Sequence, residues 1–302
     1  MYNMHNCNIC PRKCGADRYS GAGYCGQGAE IKIARAAPHY WEEPCISGER
    51  GSGTVFFSGC NLRCVYCQNR EIAHGGFGAE ISRERLCDIF FELAEKGVHN
   101  INLVTPTHFA PQIKEAIIMA KNRGFSLPFV YNCGGYESVD TLRSLEGLID
   151  IYLTDFKYMS PAAAEKYSMA EDYPAAAKAA TAEMVRQTGA ATLSDGLMKR
   201  GTIVRLLVLP GRLLDAKSVL RYLHRTYGDK IYISIMNQYT PMEGVPFPEL
   251  SRRITEREYD EIIDFAADEG ITKAFIQEGG TAEESFIPPF DMTGVAENNT
   301  NV

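Results

Sequence analysis

Three cysteines in one short loop constrain this chain more than any other feature. Cys60, Cys64 and Cys67 have the spacing Cys-x3-Cys-x2-Cys and follow residues 54–57, an apolar run typical of a strand leaving a core. Gly59 permits the tight bend that delivers the first thiol. A cubane iron–sulfur cluster usually takes four thiolates, so three thiols predict a cluster with one iron open to a further ligand. A zinc knuckle or chance clustering is the alternative interpretation.

The same loop carries a resemblance to a known family. With the aromatic Tyr66, it resembles the signature of radical S-adenosylmethionine (SAM) enzymes, and the chain looks most like the branch of pyruvate formate-lyase activating enzyme-like proteins. The resemblance implies that the three cysteines hold a 4Fe-4S cluster whose fourth iron is chelated by SAM, with Tyr66 near the adenine. One electron then cleaves SAM to methionine and a 5′-deoxyadenosyl radical, which abstracts a hydrogen atom from the substrate.

The resemblance also implies a reaction and partners. It predicts an oxygen-sensitive oxidoreductase that installs a glycyl radical on a partner protein, with a reduced flavodoxin or ferredoxin as electron donor. Radical modification of another peptide or of a small molecule is a second enzyme hypothesis. A non-enzymatic hypothesis is an electron-transfer module that binds iron–sulfur clusters or zinc, but a carrier needs neither a long barrel nor an open iron.

Composition argues against several other classes. The chain has 302 residues, enough for one large α/β domain, and no stretch approaches the roughly 18 to 20 continuous apolar residues of a membrane span. Residues 1–6 contain no signal-peptide core, so we expect a cytoplasmic protein without a membrane partner. Ten cysteines in clusters then favour metal binding over disulfides. A net charge of −7 gives no general footprint for nucleic acid.

A second cysteine cluster stands near the start of the chain. Cys7, Cys10, Cys14 and Cys25 form a set of four thiols at Cys-x2-Cys-x3-Cys-x10-Cys, in a glycine-rich segment with little apolar material. A bound metal is therefore our candidate for what folds this segment. Zinc and an auxiliary 4Fe-4S cluster both accept four thiolates, the spacing does not decide between them, and four free thiols are the alternative. Packed thiols are predicted at the remaining cysteines, Cys45, Cys87 and Cys133, with a fifth metal ligand as the alternative for Cys45 and a place at the site as the alternative for Cys133.

Strands and helices alternate after residue 54. Apolar runs typical of strands recur before each of several helical patterns, as at residues 82–97, where Ser82 is a predicted N-cap and Gly97 a stop. Such repetition predicts a parallel α/β sheet with right-handed crossovers. Together with the family resemblance it predicts an incomplete (β/α)6 barrel with a small cysteine-rich segment in front.

Three units are expected along the chain. They are a cysteine-rich segment over residues 1–48, the barrel over residues 49–285 and a disordered tail over residues 286–302. Residues 31–50 read as an irregular connection. A long insertion over residues 160–201 is predicted to contain a helix that covers the barrel and a hairpin-like turn at Asp195-Gly196.

Polar residues follow several predicted strands, at the edge where α/β proteins place their sites. Asp155 and Lys157 match an Asp-x-Lys element that the resemblance places near a monovalent cation beside SAM, and a mutual ion pair is the alternative. Arg205, within an apolar strand, needs a buried carboxylate or the carboxylate of SAM as partner. We predict that all three shape the SAM site.

The second predicted strand departs from the family pattern. Thr105-Pro106-Thr107 stands where radical SAM enzymes commonly have Gly-Gly-Glu, whose backbone binds the amino group of SAM. The hydroxyls of Thr105 and Thr107 are predicted to take over this contact. His108 is predicted either to contact cofactor or substrate or to be a solvated loop histidine.

Overall fold

The structure, a computed structural model, describes residues 3–277 and 287–296. The strands of that part of the chain are β1 (Ile31–His39), β2 (Ser52–Phe57), β3 (Ala79–Ile81), β4 (Ile101–Val104), β5 (Phe129–Cys133), β6 (Ile151–Asp155), β7 (Thr192–Ser194), β8 (Leu197–Leu207), β9 (Tyr232–Met236) and β10 (Ala274–Ile276). Its α-helices are α1 (Pro44–Ser47), α2 (Arg70–His74), α3 (Arg83–Glu95), α4 (Ala110–Asn122), α5 (Val139–Ser144), α6 (Pro161–Ser168), α7 (Tyr173–Thr188), α8 (Leu213–Tyr227) and α9 (Glu256–Asp268).

Parallel pairing builds most of the sheet. Its order is β10-β9-β8-β6-β5-β4-β2-β1-β3, and every pair from β10 to β2 is parallel. Antiparallel pairing joins β1 to β2 and β3 to β1. The α/β class with a mostly parallel sheet is thus confirmed, whereas closure into an incomplete (β/α)6 barrel stays a prediction. Among the described residues, no helix has the length and apolar character needed to cross a membrane.

Local sequence signals explain where the outer helices begin. Ser82 caps α3 as predicted, since its side-chain oxygen accepts a hydrogen bond from the backbone N–H of Arg85 at 3.0 Å. Apolar residues at helical spacing, among them Leu86 and Phe90, then face the core. A capping box between Thr255 and Glu258 begins α9 in the same way. These helices cover the sheet and leave the carboxyl ends of its strands free to build a site.

The predicted irregular connection over residues 31–50 is wrong, because its first half is β1. Alanines on both faces of the strand and Pro38 hide its two-residue alternation, and the register with β2 shifts between Ile33 and Arg35. Ile31 and Ile33 are nevertheless buried in the core. The sheet therefore begins at Ile31, within the segment that the sequence assigned to the cysteine-rich unit.

The prediction of a disordered tail is wrong for residues 287–296. Their backbone pairs with β1, since the N–H of Ala36 donates to the carbonyl of Thr293 at 2.8 Å. Arg85, itself 8% exposed, donates to the carbonyl of Ala296 at 2.6 Å. Val295 is buried against α3 and β1. Polar composition concealed a segment that is held by backbone hydrogen bonds to β1 and by the side chains of Arg35 and Arg85. Residues 286 and 297–302 lie outside the described residues.

The short helix α1 packs on the sheet near the amino ends of its strands. Cys45 and Ile46 are buried there against Val130, Ile151 and Ile203. Cys45 is therefore a packed thiol, as predicted. Because α1 is fixed by this core, the residues that precede it are held close to the sheet.

The long insertion has the predicted elements. After α6 it contains α7, whose Ala177, Ala180 and Met184 are buried against the rest of the protein. Asp195 and Gly196, both with positive φ, then turn β7 into β8. The turn is thus confirmed, and β8 begins earlier than the sequence indicated.

Candidate active site

The cysteine loop lies between the carboxyl end of β2 and α2. Gly59 has a φ of +88°, and a Cβ at this position would lie 2.8 Å from the carbonyl oxygen of Cys25, so only glycine fits. Cys60, Cys64 and Cys67 all line one cavity of about 610 Å³. The loop therefore brings three thiols to a common wall, as the spacing predicted.

Asp155, Lys157 and Arg205 line the same cavity. Asp155 accepts a bond from Arg205 Nε at 2.9 Å and from Lys157 Nζ at 2.6 Å, one on each carboxylate oxygen. Burial would raise the pKa of Asp155, but the two cations overcome this and hold it below its usual value. The structure thus surrounds Asp155 with side-chain cations, and the predicted monovalent cation would have to share oxygens that are already bound.

Further polar residues of the site were missed by the sequence analysis. Arg205 Nη1 lies 3.2 Å from Glu42 Oε2, and Arg205 Nη2 donates to Asn132 Oδ1 at 2.6 Å. Glu42 Oε1 also accepts a bond from Asn102 Nδ2 at 2.9 Å. The requirement that a buried arginine finds carboxylate partners was visible in the sequence, but Glu42 lay in the stretch taken for an irregular connection. The buried partner of Arg205 is therefore a set of protein side chains.

The donor chemistry of the cavity fits an iron–sulfur cluster. A cubane spreads its thiolates over separate irons, so their sulfurs lie farther apart than the ligands of one metal ion. Within residues 3–277 and 287–296, no three Cys, His, Asp or Glu side chains are arranged to hold a single metal ion. Three thiols on one wall of a cavity of this volume are compatible with a cluster and leave room for a ligand of cofactor size.

A match to a family model shows which family the chain belongs to. The model described as the Radical SAM superfamily matches residues 54–212, more than half of the 302 residues. The chain belongs to the radical SAM superfamily. The match spans the cysteine loop, Asp155 and Arg205. Membership in this superfamily implies an enzyme that uses a 4Fe-4S cluster and SAM.

Individual relatives describe the likeness further. The chain is 26% identical over 272 residues to an uncharacterized protein of Methanocaldococcus jannaschii. The aligned region covers 86% of this chain and 74% of that protein. It is similar to Streptococcus suis SuiB bound to precursor peptide SuiA, with a TM-score of 0.51 and 9% identity over 72% of this chain and 46% of that chain. The hydrogenase maturase HydG from Carboxydothermus hydrogenoformans matches with a TM-score of 0.45 and 14% identity over 76% of this chain and 58% of that chain. The chain thus spans about half the length of these solved structures, and the likeness to SuiB concerns the fold.

Tyr66 and Thr105, which the sequence also predicts to contact SAM, lie at the same cavity. Tyr66 is 6% exposed, lines the cavity and bonds through its hydroxyl to Tyr158. Thr105 lines the cavity as well and has a φ of +59°, the left-handed conformation that favours glycine. The backbone here thus keeps a glycine-like shape where the family commonly has Gly-Gly-Glu. The contacts of both residues with SAM stay predictions.

Thr107 and His108 do not lie where the sequence predicted. The Thr107 hydroxyl is buried and donates to Glu137 Oε1 at 2.7 Å, so it is not available to SAM. His108 is 2% exposed and its Nε2 donates to the carbonyl of Ser58 at 2.7 Å, so it is neither solvated nor at the cavity. Burial lowers its pKa to about 3, which keeps the ring neutral. The short helical turn at Thr107–Phe109 directs both side chains into the core.

Replacing Thr105 with glycine is expected to stabilise the protein by about 1 kcal/mol. The change relieves about 1–3 kcal/mol of backbone strain, from which the greater freedom of glycine in the unfolded chain subtracts part. Thr105→Ala is the matched control, because it removes the hydroxyl and keeps the strain. Urea unfolding of the three proteins measures the difference, and a Thr105→Gly protein no more stable than Thr105→Ala would contradict the assignment of strain.

Glu137 gives the protein a predicted pH dependence. Burial raises its pKa from 4.5 to about 7, although the hydroxyls of Thr107 and Tyr131 oppose this. The folded state therefore holds the proton more tightly than the unfolded state, and stability falls as pH rises from 4.5 to 7. We expect Glu137→Gln, which cannot ionise, to gain about 3 kcal/mol relative to the wild type across this interval. Unfolding free energies measured below and above the interval test this, and parallel pH profiles for the two proteins would contradict it.

The amino-terminal cysteines also gather in the structure. Cys7, Cys10 and Cys25 are buried and Cys14 is exposed. The sulfurs of Cys14 and Cys25 both lie 3.5 Å from the position of a Cβ on Gly23, and the thiols of Cys7 and Cys14 interact. The four thiols thus occupy one small segment, and their role as ligands of a second metal stays a prediction.

This segment packs directly on the radical SAM loop. The N–H of Cys60 lies 3.4 Å from the carbonyl oxygen of Cys25, which joins the two cysteine clusters through their backbones. Arg12 Nε donates to the carbonyl of Asn61 at 2.9 Å, and its guanidinium lies 4.3 Å from the centre of the Tyr24 ring. The two cysteine clusters are therefore in direct contact through a few hydrogen bonds.

The last two cysteines are packed thiols. Cys87 is fully buried among the apolar residues under α3. Cys133, 3% exposed, donates to Thr154 Oγ1 at 3.4 Å at the edge of the cavity. The prediction is confirmed for Cys87, whereas Cys133 is a buried thiol that also lines the cavity.

Proposed function

We propose that this protein cleaves SAM reductively at a 4Fe-4S cluster held by Cys60, Cys64 and Cys67, and that it abstracts a hydrogen atom from a substrate in an incomplete (β/α)6 barrel. The observation that carries the proposal is the common cavity wall formed by these three thiols, inside the region matched by the radical SAM family model. The bound cofactors supply a 5′-deoxyadenosyl radical.

The protein side chains position SAM and exclude water. Lys157 lines the cavity and its ammonium group, which binds Asp155, has three protons, so it suits a ligand with a carboxylate. Tyr66 offers an aromatic wall for an adenine ring, and the left-handed backbone at Thr105 exposes main-chain groups at the strand end. A flavodoxin or ferredoxin is the proposed electron donor.

Two substrate classes are candidates. The resemblance to pyruvate formate-lyase activating enzymes supplies the first, a glycine of a partner glycyl radical enzyme. Modification of another peptide or of a small molecule is the second, and a specific observation favours it. We call the end of the cavity nearest the amino ends of the strands its floor. The acidic residues Glu42 and Glu43 line the cavity there, whereas a backbone glycine carries no charge that they would recognise.

We also propose that Cys7, Cys10, Cys14 and Cys25 bind a second metal, either an iron–sulfur cluster or zinc, for which the thiols would have to move closer together. Support comes from the burial of three of these thiols in a segment with little core of its own. Metal analysis of anaerobically reconstituted protein distinguishes the two. About four irons per chain with zinc present would assign zinc to this site, and about eight irons would assign a second cluster.

The proposed reaction is tested by product formation. Wild-type protein is reconstituted anaerobically with iron and sulfide, reduced with dithionite and supplied with SAM, and 5′-deoxyadenosine is quantified. We expect 5′-deoxyadenosine to form and to require both the reductant and the reconstituted cluster. Fully loaded protein that forms none, with glycyl radical enzyme and peptide or amine substrates present, would contradict the proposal and favour an electron-transfer module.

A further inference from the structure

The floor of the cavity contains a buried carboxylate that the proposed cofactor chemistry does not use. Glu43 is 8% exposed, lines the cavity and lies at the N-cap of α1, whose Cys45 and Ile46 are anchored in the core. The Ser234 hydroxyl on β9 stabilises the carboxylate from one side. Its position is therefore fixed by the fold, at the end of the cavity closest to the amino ends of the strands.

One oxygen of this carboxylate lacks a partner. Glu43 Oε2 is buried and accepts no hydrogen bond from any described residue. Asn102 Oδ1, on the side chain that contacts Glu42, is a second buried acceptor without a partner in the same part of the chain. Buried polar atoms are nearly always paired, so the unpartnered oxygen of Glu43, a residue that lines the cavity, indicates that its donor is supplied by a ligand.

Both cationic side chains of the site already bind groups other than Glu43. Arg205 uses Nε, Nη1 and Nη2 on Asp155, Glu42 and Asn132, and Lys157 Nζ lies 2.6 Å from Asp155. Three carboxylates, those of Glu42, Glu43 and Asp155, thus face two cationic side chains. An ionised carboxylate buried without a partner costs several kcal/mol, which a positively charged donor would offset.

The walls above the floor are apolar. Leu207, Met236 and Phe275 are among the apolar residues that line the same cavity as the carboxylates. An aliphatic chain packs favourably on such a surface, while its end group reaches the acidic floor. The arrangement suits a group that is apolar along its length and cationic at its tip.

We propose that Glu43, with Glu42 beside it, binds the ammonium group of an alkylamine portion of the substrate, and that Leu207, Met236 and Phe275 contact its methylene chain. This rests on the proposed function, since it assigns the substrate class of that same cavity. A lysine-like side chain of a peptide and a free aliphatic amine share this chemistry.

Equilibrium binding of simple probes tests the assignment. Reconstituted protein with SAM is titrated with pentylamine and with its neutral counterpart 1-pentanol by ligand-observed NMR. We expect the wild type to bind the amine about tenfold more tightly than the alcohol, and Glu43→Gln to lose this preference. Glu49→Gln, which removes an exposed carboxylate a few residues away, is the matched control and should keep it.

Several outcomes would overturn the inference. Equal binding of amine and alcohol by the wild type would do so even if Glu43→Gln failed to fold, and so would a preference that survives in folded Glu43→Gln. Displacement of pentylamine by potassium ions at equal concentration would assign the floor to a monovalent cation. Measurement of 5′-deoxyadenosine on the same preparations separates the two proposals, because SAM cleavage without amine preference refutes only this one.

If the amine is bound as proposed, lysine-containing peptides and free aliphatic amines are then compared for stimulation of 5′-deoxyadenosine formation. Stimulation by the peptides alone identifies a peptide side chain, and stimulation by free amines identifies a small molecule. Stimulation that is equally strong with norleucine peptides or alcohols would contradict recognition of the ammonium group.

Discussion

Replacing Cys60, Cys64 and Cys67 together with alanine is expected to reduce 5′-deoxyadenosine formation to background. These thiols all line the cavity and are the ligands assigned to the proposed cluster. Reconstituted protein should also lose about four irons per chain relative to the wild type. Product quantification and iron analysis on the same samples measure both effects.

The matched control is the Cys7→Ala/Cys10→Ala/Cys14→Ala protein, which leaves the loop intact. We expect it to keep iron at the loop and to retain SAM cleavage in proportion to the folded fraction, because the contacts of Arg12 with Asn61 and of Cys25 with Cys60 do not involve the three replaced thiols. Loss of 5′-deoxyadenosine in this variant with an intact loop cluster, or its survival in the first triple variant, would contradict the assignment of the thiols.

Replacing Arg205 with methionine is expected to destabilise the protein by about 3–5 kcal/mol. The guanidinium binds Asp155, Glu42 and Asn132 at once, so its removal leaves two carboxylates buried with Lys157 as their remaining cation. Protonation of these carboxylates offsets the loss, so the destabilisation should shrink as pH falls. Urea unfolding of the apoprotein at neutral and acidic pH measures both effects.

Two controls make the Arg205 prediction specific. Arg205→Lys keeps a cation and loses the three-pronged geometry, so its stability should fall between those of the wild type and the methionine variant. Arg257→Met removes an exposed arginine from α9 and should change stability little. A loss below about 1 kcal/mol in Arg205→Met would show that the buried network is not what fixes the floor of the cavity.

Local patterns were sufficient to predict most of the sheet and the wall of thiols. Parallel strands such as β5 and β6 are short apolar runs, and their carboxyl ends meet at one edge by geometry alone. Asp155 and Arg205 could be assigned to one site for the same reason, since they are directly paired in the register of β6 and β8. A motif of three cysteines in a tight loop needs only local backbone geometry to converge.

Features that depend on distant contacts could not be predicted. Glu42 and Glu43 belong to the site only because α1 folds back under the sheet, which no local periodicity reveals. Thr107 is withdrawn from the cavity by Glu137, thirty residues later. Residues 287–296 are held by backbone bonds to β1 and by Arg35 and Arg85, which lie far earlier in the chain, so no local pattern reveals these contacts.

The open iron of the loop cluster is the central claim, and electron paramagnetic resonance tests it most directly. The Cys7→Ala/Cys10→Ala/Cys14→Ala protein, reconstituted and reduced anaerobically, isolates the cluster on Cys60, Cys64 and Cys67. Its spectrum is recorded before and after addition of SAM. We predict the signal of a single reduced 4Fe-4S cluster that changes when SAM binds the open iron. A reduced cluster whose signal is the same with and without SAM would contradict the account.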